Sequence, residues 1–156
     1  MKKRLGAVLL AVAAVFTNVS VASAQGHAEL TNIRTGKHDR FERIVLDMNG
    51  LPSNSQSREA TEVSNCASGN SVPMAGNEVL ETIFFNAASY DENFNRTYTG
   101  PRNFVPEGLT NVKGVAFTCD FEATMGIAVS YANVNSWHKV FTLTNPDRVV
   151  IDIYSY

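Results

Sequence analysis

Apolar and polar positions alternate along much of the chain. Ile44, Leu46 and Met48 alternate with Val45 and Asp47, Ile127 and Val129 with Ala128 and Ser130, and Phe141 and Leu143 with Val140 and Thr142. A period of two is the spacing of a half-buried strand, whose side chains point by turns to the core and to solvent. Shorter runs of this kind at residues 29–34, 60–64, 79–86 and 112–121 raise the expected count to seven or eight strands, and no stretch shows a sustained helical stripe. Asn49-Gly50-Leu51-Pro52, Ser68-Gly69-Asn70, Ala75-Gly76-Asn77 and Asn145-Pro146-Asp147 fall between the runs and supply turn chemistry. The polar residues 53–58 read as a loop. So many short strands in so short a chain predict an all-β sandwich or barrel.

Two of the runs repeat one another. Arg43-Ile44-Val45-Leu46-Asp47-Met48 and Arg148-Val149-Val150-Ile151-Asp152-Ile153 share the order Arg, apolar, Val, apolar, Asp, apolar. As strands, each turns its alternate apolar residues to one side and its Arg, Val and Asp to the other. Equivalent strands of this kind are expected at matching places in two sheets, with the charges on an outer face where exposed ion pairs contribute little.

The start of the chain sets its compartment. Lys2, Lys3 and Arg4 precede an apolar run over residues 5–16, and Ala22-Ser23-Ala24 supplies a small-x-small cleavage pattern before Gln25. This is the pattern of a cleaved secretory signal over residues 1–24. The run holds about 12 residues where a spanning helix needs about 20, so no transmembrane segment is expected after its removal. Taking 24 of the 156 residues leaves 132, the size of a single domain, residues 25–156. The leader holds three of the 13 basic residues and none of the 15 acidic ones, so ten basic residues remain against fifteen acidic. That balance argues against a nucleic acid or anionic membrane partner, which would need a basic surface. Cys66 and Cys119 both lie in the exported part, where oxidation favours a disulfide. They have no C-x-x-C spacing that would mark a redox pair.

The blocks His38-Asp39-Arg40-Phe41-Glu42-Arg43-Ile44-Val45-Leu46-Asp47, Tyr98-Thr99-Gly100-Pro101-Arg102, Thr118-Cys119-Asp120-Phe121-Glu122 and the ending through Pro146-Asp147-Arg148-Val149-Val150-Ile151-Asp152 add a family signal. Together, over residues 29–154, they resemble the AMIN-like domain of exported actinobacterial proteins. The resemblance implies a β-sandwich of two small sheets, related to domains that direct cell-wall amidases and secretin subunits to envelope sites. It implies no catalytic residues. No amidase or secretin domain accompanies it here, so binding is the role it suggests.

Candidate chemistry is sparse. The connection over residues 88–108 carries Tyr90, Phe94, Tyr98 and Phe104 among Asp91, Glu92, Asn93, Asn95 and Arg102. Rings that cover the apolar face of a sugar, beside groups that bond its hydroxyls, are what glycan recognition needs. Tyr90, Asp91, Asn93, Tyr98, Arg102 and Phe104 are therefore candidate ligand residues, with packing beneath the connection as the competing role for the rings. Trp137, before the strand at residues 139–144, is a seventh candidate if it is exposed.

Asp91, Asn93 and Asn95 open like a calcium loop, but Arg96 stands where the turn wants Gly and Arg102 where the closing carboxylate belongs. His27, His38 and His138 lack zinc-ligand spacing, and no G-x-S-x-G elbow occurs. No metal or other cofactor is expected. Asp91, Glu92, Asp120 and Glu122 leave a small glycan hydrolase as a third choice, Asp120 and Glu122 being expected on one side of their strand. The leading expectation is a secreted, extracellular or wall-associated module that binds cell-wall glycan or an envelope protein. A protein-binding or inhibitor-like module is the alternative.

Overall fold

A computed structural model describes residues 26–155, so the expected secretory leader, residues 1–24, lies outside the described residues. Ten strands follow one another: β1 (Ala28–Lys37), β2 (Phe41–Asn49), β3 (Asn54–Ala60), β4 (Glu78–Phe85), β5 (Ala87–Ala88), β6 (Asn103–Phe104), β7 (Val112–Phe121), β8 (Thr124–Tyr131), β9 (Trp137–Leu143) and β10 (Arg148–Tyr154). They form two five-stranded sheets, ordered β5-β1-β2-β10-β9 and β3-β4-β8-β7-β6, and the fold is an all-β sandwich. Between the sheets lie Leu30, Ile44, Leu46, Ile151 and Ile153 from the first and Leu80, Phe84, Val115, Ile127 and Val129 from the second, all fully buried or nearly so. The period-two residues of β2 and β8 thus supply inner faces, but in β9 the expected face is reversed: Phe141 and Leu143 lie opposite Val150 and Arg148 on the outer side, and Val140 packs on the core.

Residues 53–58 are not a loop. Most of them form β3, which pairs antiparallel with β4 from Asn54↔Phe85 to Ala60↔Val79 and ends the second sheet. An edge strand with exposed side chains needs no apolar alternation, because its backbone bonds hold it, and the polar residues protect the free edge. Residues 60–64 lie mostly beyond it, with only a bridge from Ser64 to Ser71.

They begin a strap over the outside of the second sheet. Val63, with Val72 and Met74 packed alongside, covers Val79 and Ala128, and Cys66 joins Cys119 in a disulfide. The Cys66 N–H also donates to the Thr118 carbonyl at 2.8 Å. Underneath is a surface of small residues: a Cβ on Gly114 would come within 2.9 Å of Ser130 Oγ and 3.4 Å of Met74 Cε. The disulfide closes a long loop, sequence separation 53, which restricts the unfolded chain by about 4 kcal/mol in the entropy description. Among the described residues the first sheet has no such strap.

A buried carboxylate ties the two layers. Glu42 of β2 points inward, 3 % exposed, and accepts from the N–H groups of Thr110 (2.6 Å), Asn111 (3.0 Å) and Val112 (2.7 Å), with the Thr110 hydroxyl adding a fourth donor. Those amides lead into β7 of the opposite sheet, so the carboxylate fixes where β7 begins. Burial pushes the Glu42 carboxyl up, but the bonds from Thr110, Val112 and Asn111 outweigh it and hold it below the ordinary range. A carboxyl depressed in the fold adds stability that is complete above its unfolded value, near 4.5, and is lost as pH falls through the folded value. Urea unfolding should therefore show the wild type losing stability below about pH 4.5. Glu42→Gln should be less stable at pH 7 by about 3 kcal/mol and should flatten the acid limb.

Candidate functional site

The two similar strands are neighbours within the first sheet, not counterparts in different sheets. β2 and β10 pair antiparallel with Arg43↔Asp152, Val45↔Val150 and Asp47↔Arg148. A motif of Arg, Val and Asp at alternate positions meets a second copy of itself, reversed, with each Arg opposite an Asp and Val opposite Val. The order is self-complementary, so both charged ends of the motif are satisfied by one register. Arg43 uses its match fully: Nε donates to Asp152 Oδ1 at 2.7 Å and Nη2 to Oδ2 at 2.8 Å. The Asp152 side chain is 1 % exposed and that of Arg43 28 %, so this ion pair is largely buried rather than surface decoration. The Asp152 bond raises the Arg43 guanidinium above its ordinary value.

At the other end the pairing shifts by one strand. Asp47 takes a two-pronged bond from Arg34 of β1, at 2.7 and 2.6 Å, which holds its carboxyl below the usual range, while Arg148 Nε donates to the Pro146 carbonyl.

The outward period continues past the charges into aromatics. Phe41 precedes Arg43 by two residues and Tyr154 follows Asp152 by two, and the same register sets them opposite each other, with Trp137 beyond on β9. The rings make a row across the uncovered face: His38 on Phe41 at 4.4 Å and 21°, Phe41 against Tyr154 at 5.1 Å and 43°, and Tyr154 on Trp137 at 3.8 Å and 9°. In the last, nearly parallel stack Tyr154 covers one face of the indole. Trp137 sits on the edge strand and is 43 % exposed, so its other face is open.

Cations flank the row. The Arg43 guanidinium carbon lies 4.8 Å from the Phe41 centroid and Lys139 Nζ 5.1 Å from that of Phe141. Arg40, in the β1–β2 turn, lines a hollow with Trp137, Tyr154 and Ser155.

The seven candidate residues do not converge. Tyr90, Asp91 and Asn93 follow β5 at one edge of the first sheet, and Trp137 lies on β9 at the other. Tyr98 is in the core, 4 % exposed, with its hydroxyl donating to the Pro101 carbonyl at 2.9 Å and its ring stacked on Phe117. Burial raises its phenol above the ordinary value. Arg102 Nη2 pairs with Asp120 and Nη1 with Ser89 Oγ, each at 2.9 Å, and the guanidinium carbon stands 3.9 Å above Phe117. It fastens the long connection to β7. Phe104, in β6, is half-buried against the core.

Asp91 accepts from the Asn93 and Asn95 amides at 2.9 and 2.8 Å and from Asn95 Nδ2 at 3.0 Å; the Asn95 side chain leads in holding its carboxyl low. These bonds shape a tip on which Phe94 is 82 % exposed. Tyr90 stacks on Phe94 and is met edge-on by His27.

Nor do Asp120 and Glu122 share a strand face, because Glu122 and Ala123 form the two-residue turn between β7 and β8, both at positive φ. Among the described residues no three His, Cys, Asp or Glu side chains gather as a metal site.

Removing either member of the buried pair should be unequal in cost. Arg43→Ala strands a buried carboxylate and should cost about 3–5 kcal/mol. Asp152→Ala leaves a guanidinium that reaches water and should cost about half as much. Urea titrations of both variants at pH 7 check the asymmetry.

The family model of the AMIN-like domain matches residues 28–155, a span that contains all ten strands. No curated protein and no solved structure matches the chain.

Proposed function

Because the chain belongs to the AMIN-like domain family, we propose that it is an exported, non-catalytic module of the cell envelope that binds wall glycan on the outer face of its first sheet. An AMIN-like domain points in general to peptidoglycan-associated binding, and such domains are generally non-catalytic. The Cys66–Cys119 disulfide is consistent with export, as is the leader pattern.

The observation that carries the choice of face is the Trp137–Tyr154 stack. An indole braced by a parallel ring is fixed before a ligand arrives, so little rotamer freedom remains to be lost on binding. Its open face offers a sugar ring an apolar plane, and the polar groups around it can take the hydroxyls. Among the described residues the outer face of the second sheet carries no such stack, and its Val79 and Ala128 lie under the disulfide-held strap.

One observation favours a second reading, binding to an envelope protein. Phe94 is 82 % exposed on a tip stiffened by Asp91, and a presented aromatic is a common anchor at protein interfaces. The two readings use opposite edges of the first sheet and separate cleanly. Retention on protein-free peptidoglycan should fall about tenfold in Trp137→Ala and stay near wild type in Phe94→Ala. Retention lost in Phe94→Ala and kept in Trp137→Ala would reverse the assignment.

A further inference from the structure

We infer that the Trp137 face selects glycan that carries free carboxylates, with Arg40 and Lys139 reading the charge; this rests on the glycan reading above. The first support is the local charge. The chain is acidic after its expected leader, yet the outer face of the first sheet carries Arg34, Arg43, Lys139 and Arg148, with Arg40 at its rim, against Glu29, Asp47 and Asp152. A basic face on an acidic protein is a directional feature, because the rest of the surface repels the anion that this face attracts.

The second support is which cations are spoken for. Arg43 is committed to Asp152 and Arg34 to Asp47, both by two bonds, and Arg148 is turned to the Pro146 carbonyl. Lys139 lies opposite Asp152 in the β9–β10 register, but Arg43 occupies both oxygens of that carboxylate. Among the described residues neither Lys139 nor Arg40 makes an ion pair, and both are exposed. Asp152 therefore has a further consequence for the face: by holding Arg43 down on the sheet it leaves Lys139 available.

The third support is position. Arg40 lines the same hollow as Trp137 and Tyr154. Lys139 follows Trp137 by two residues on β9 and so stands on the same side of the sheet, with Nζ beside the Phe141 ring. The two available cations thus both neighbour the indole, one in its hollow and the other two residues along its strand. A sugar ring laid on Trp137 would place substituents within reach of a positive charge. The peptide stems of wall glycan carry carboxylates that such charges can meet, whereas a neutral glycan would meet the ring alone.

The test is a calorimetric titration of the protein at low salt with disaccharide-tetrapeptide muropeptides in two forms, carboxylates free or amidated, and with the neutral N-acetylglucosamine tetramer. The free-carboxylate form should bind about fivefold or more tighter than the amidated form, and the difference should shrink as salt is raised. Arg40→Ala/Lys139→Ala, with its fold checked by circular dichroism, should bind the two forms alike. Equal binding of both forms by the wild type, or a preference that survives in the double variant, overturns the inference and leaves the glycan reading standing. Binding of none of the three overturns the glycan reading itself.

Discussion

The first sheet depends on the pairing of β2 with β10. These strands come from opposite ends of the described chain and lie side by side near the middle of the sheet, so their register places everything on either flank. A slip of either strand by one residue would turn its own apolar residues out of the core, Ile44 and Leu46 or Ile151 and Ile153, and bring its own charge, Arg43 or Asp152, into it. A slip by two would keep the apolar faces inward but set Arg43 away from Asp152, leaving a carboxylate buried without its partner. The hydrophobic pattern thus excludes odd slips and the ion pair excludes even ones. The same register aligns Phe41 with Tyr154 and Tyr154 with Trp137, so the aromatic row follows from the pairing that builds the sheet.

The two sheets then take different outer surfaces. Glu42, the residue before Arg43, sends its carboxylate inward to three amides at the start of β7 and sets how the layers meet. Outside the second sheet, Val63, Val72 and Met74 lie on a surface of small side chains, and the disulfide keeps them there. Outside the first, long and flat side chains cover the backbone without any strap. Val150 is 1 % exposed on that face although no second layer lies over it, which fits a cover of neighbouring Arg and aromatic side chains. A face closed by its own side chains can stay rigid and still meet a ligand.

Much of this was legible in the sequence. The period-two runs gave most strands of both sheets, and two cysteines behind an expected export signal pointed to the Cys66–Cys119 bond. β3 was missed because an edge strand with exposed side chains has no hydrophobic period to read. The repeat was seen, but its order also contained its geometry: Arg, Val, Asp read backwards against itself puts opposite charges together, which points to antiparallel neighbours. Extending that outward period by two residues reaches Phe41 in one copy and Tyr154 in the other, and this signal could have found the row. The long connection drew attention because it is rich in rings and amides, yet composition cannot tell a ring that packs from one that is presented. Tyr98 and Arg102 went to the interior and to Asp120, while Phe94 went to the tip.

The central claim is that the uncovered face of the first sheet is the binding face, and mapping of backbone and indole NMR shifts during a muropeptide titration tests it most directly. The account predicts that the changes concentrate on the Trp137 indole, Tyr154, Phe41, Arg40 and Lys139, with the tip around Phe94 and the strap around Cys66 unmoved. Changes confined to residues 90–96, or to the strap, would contradict it.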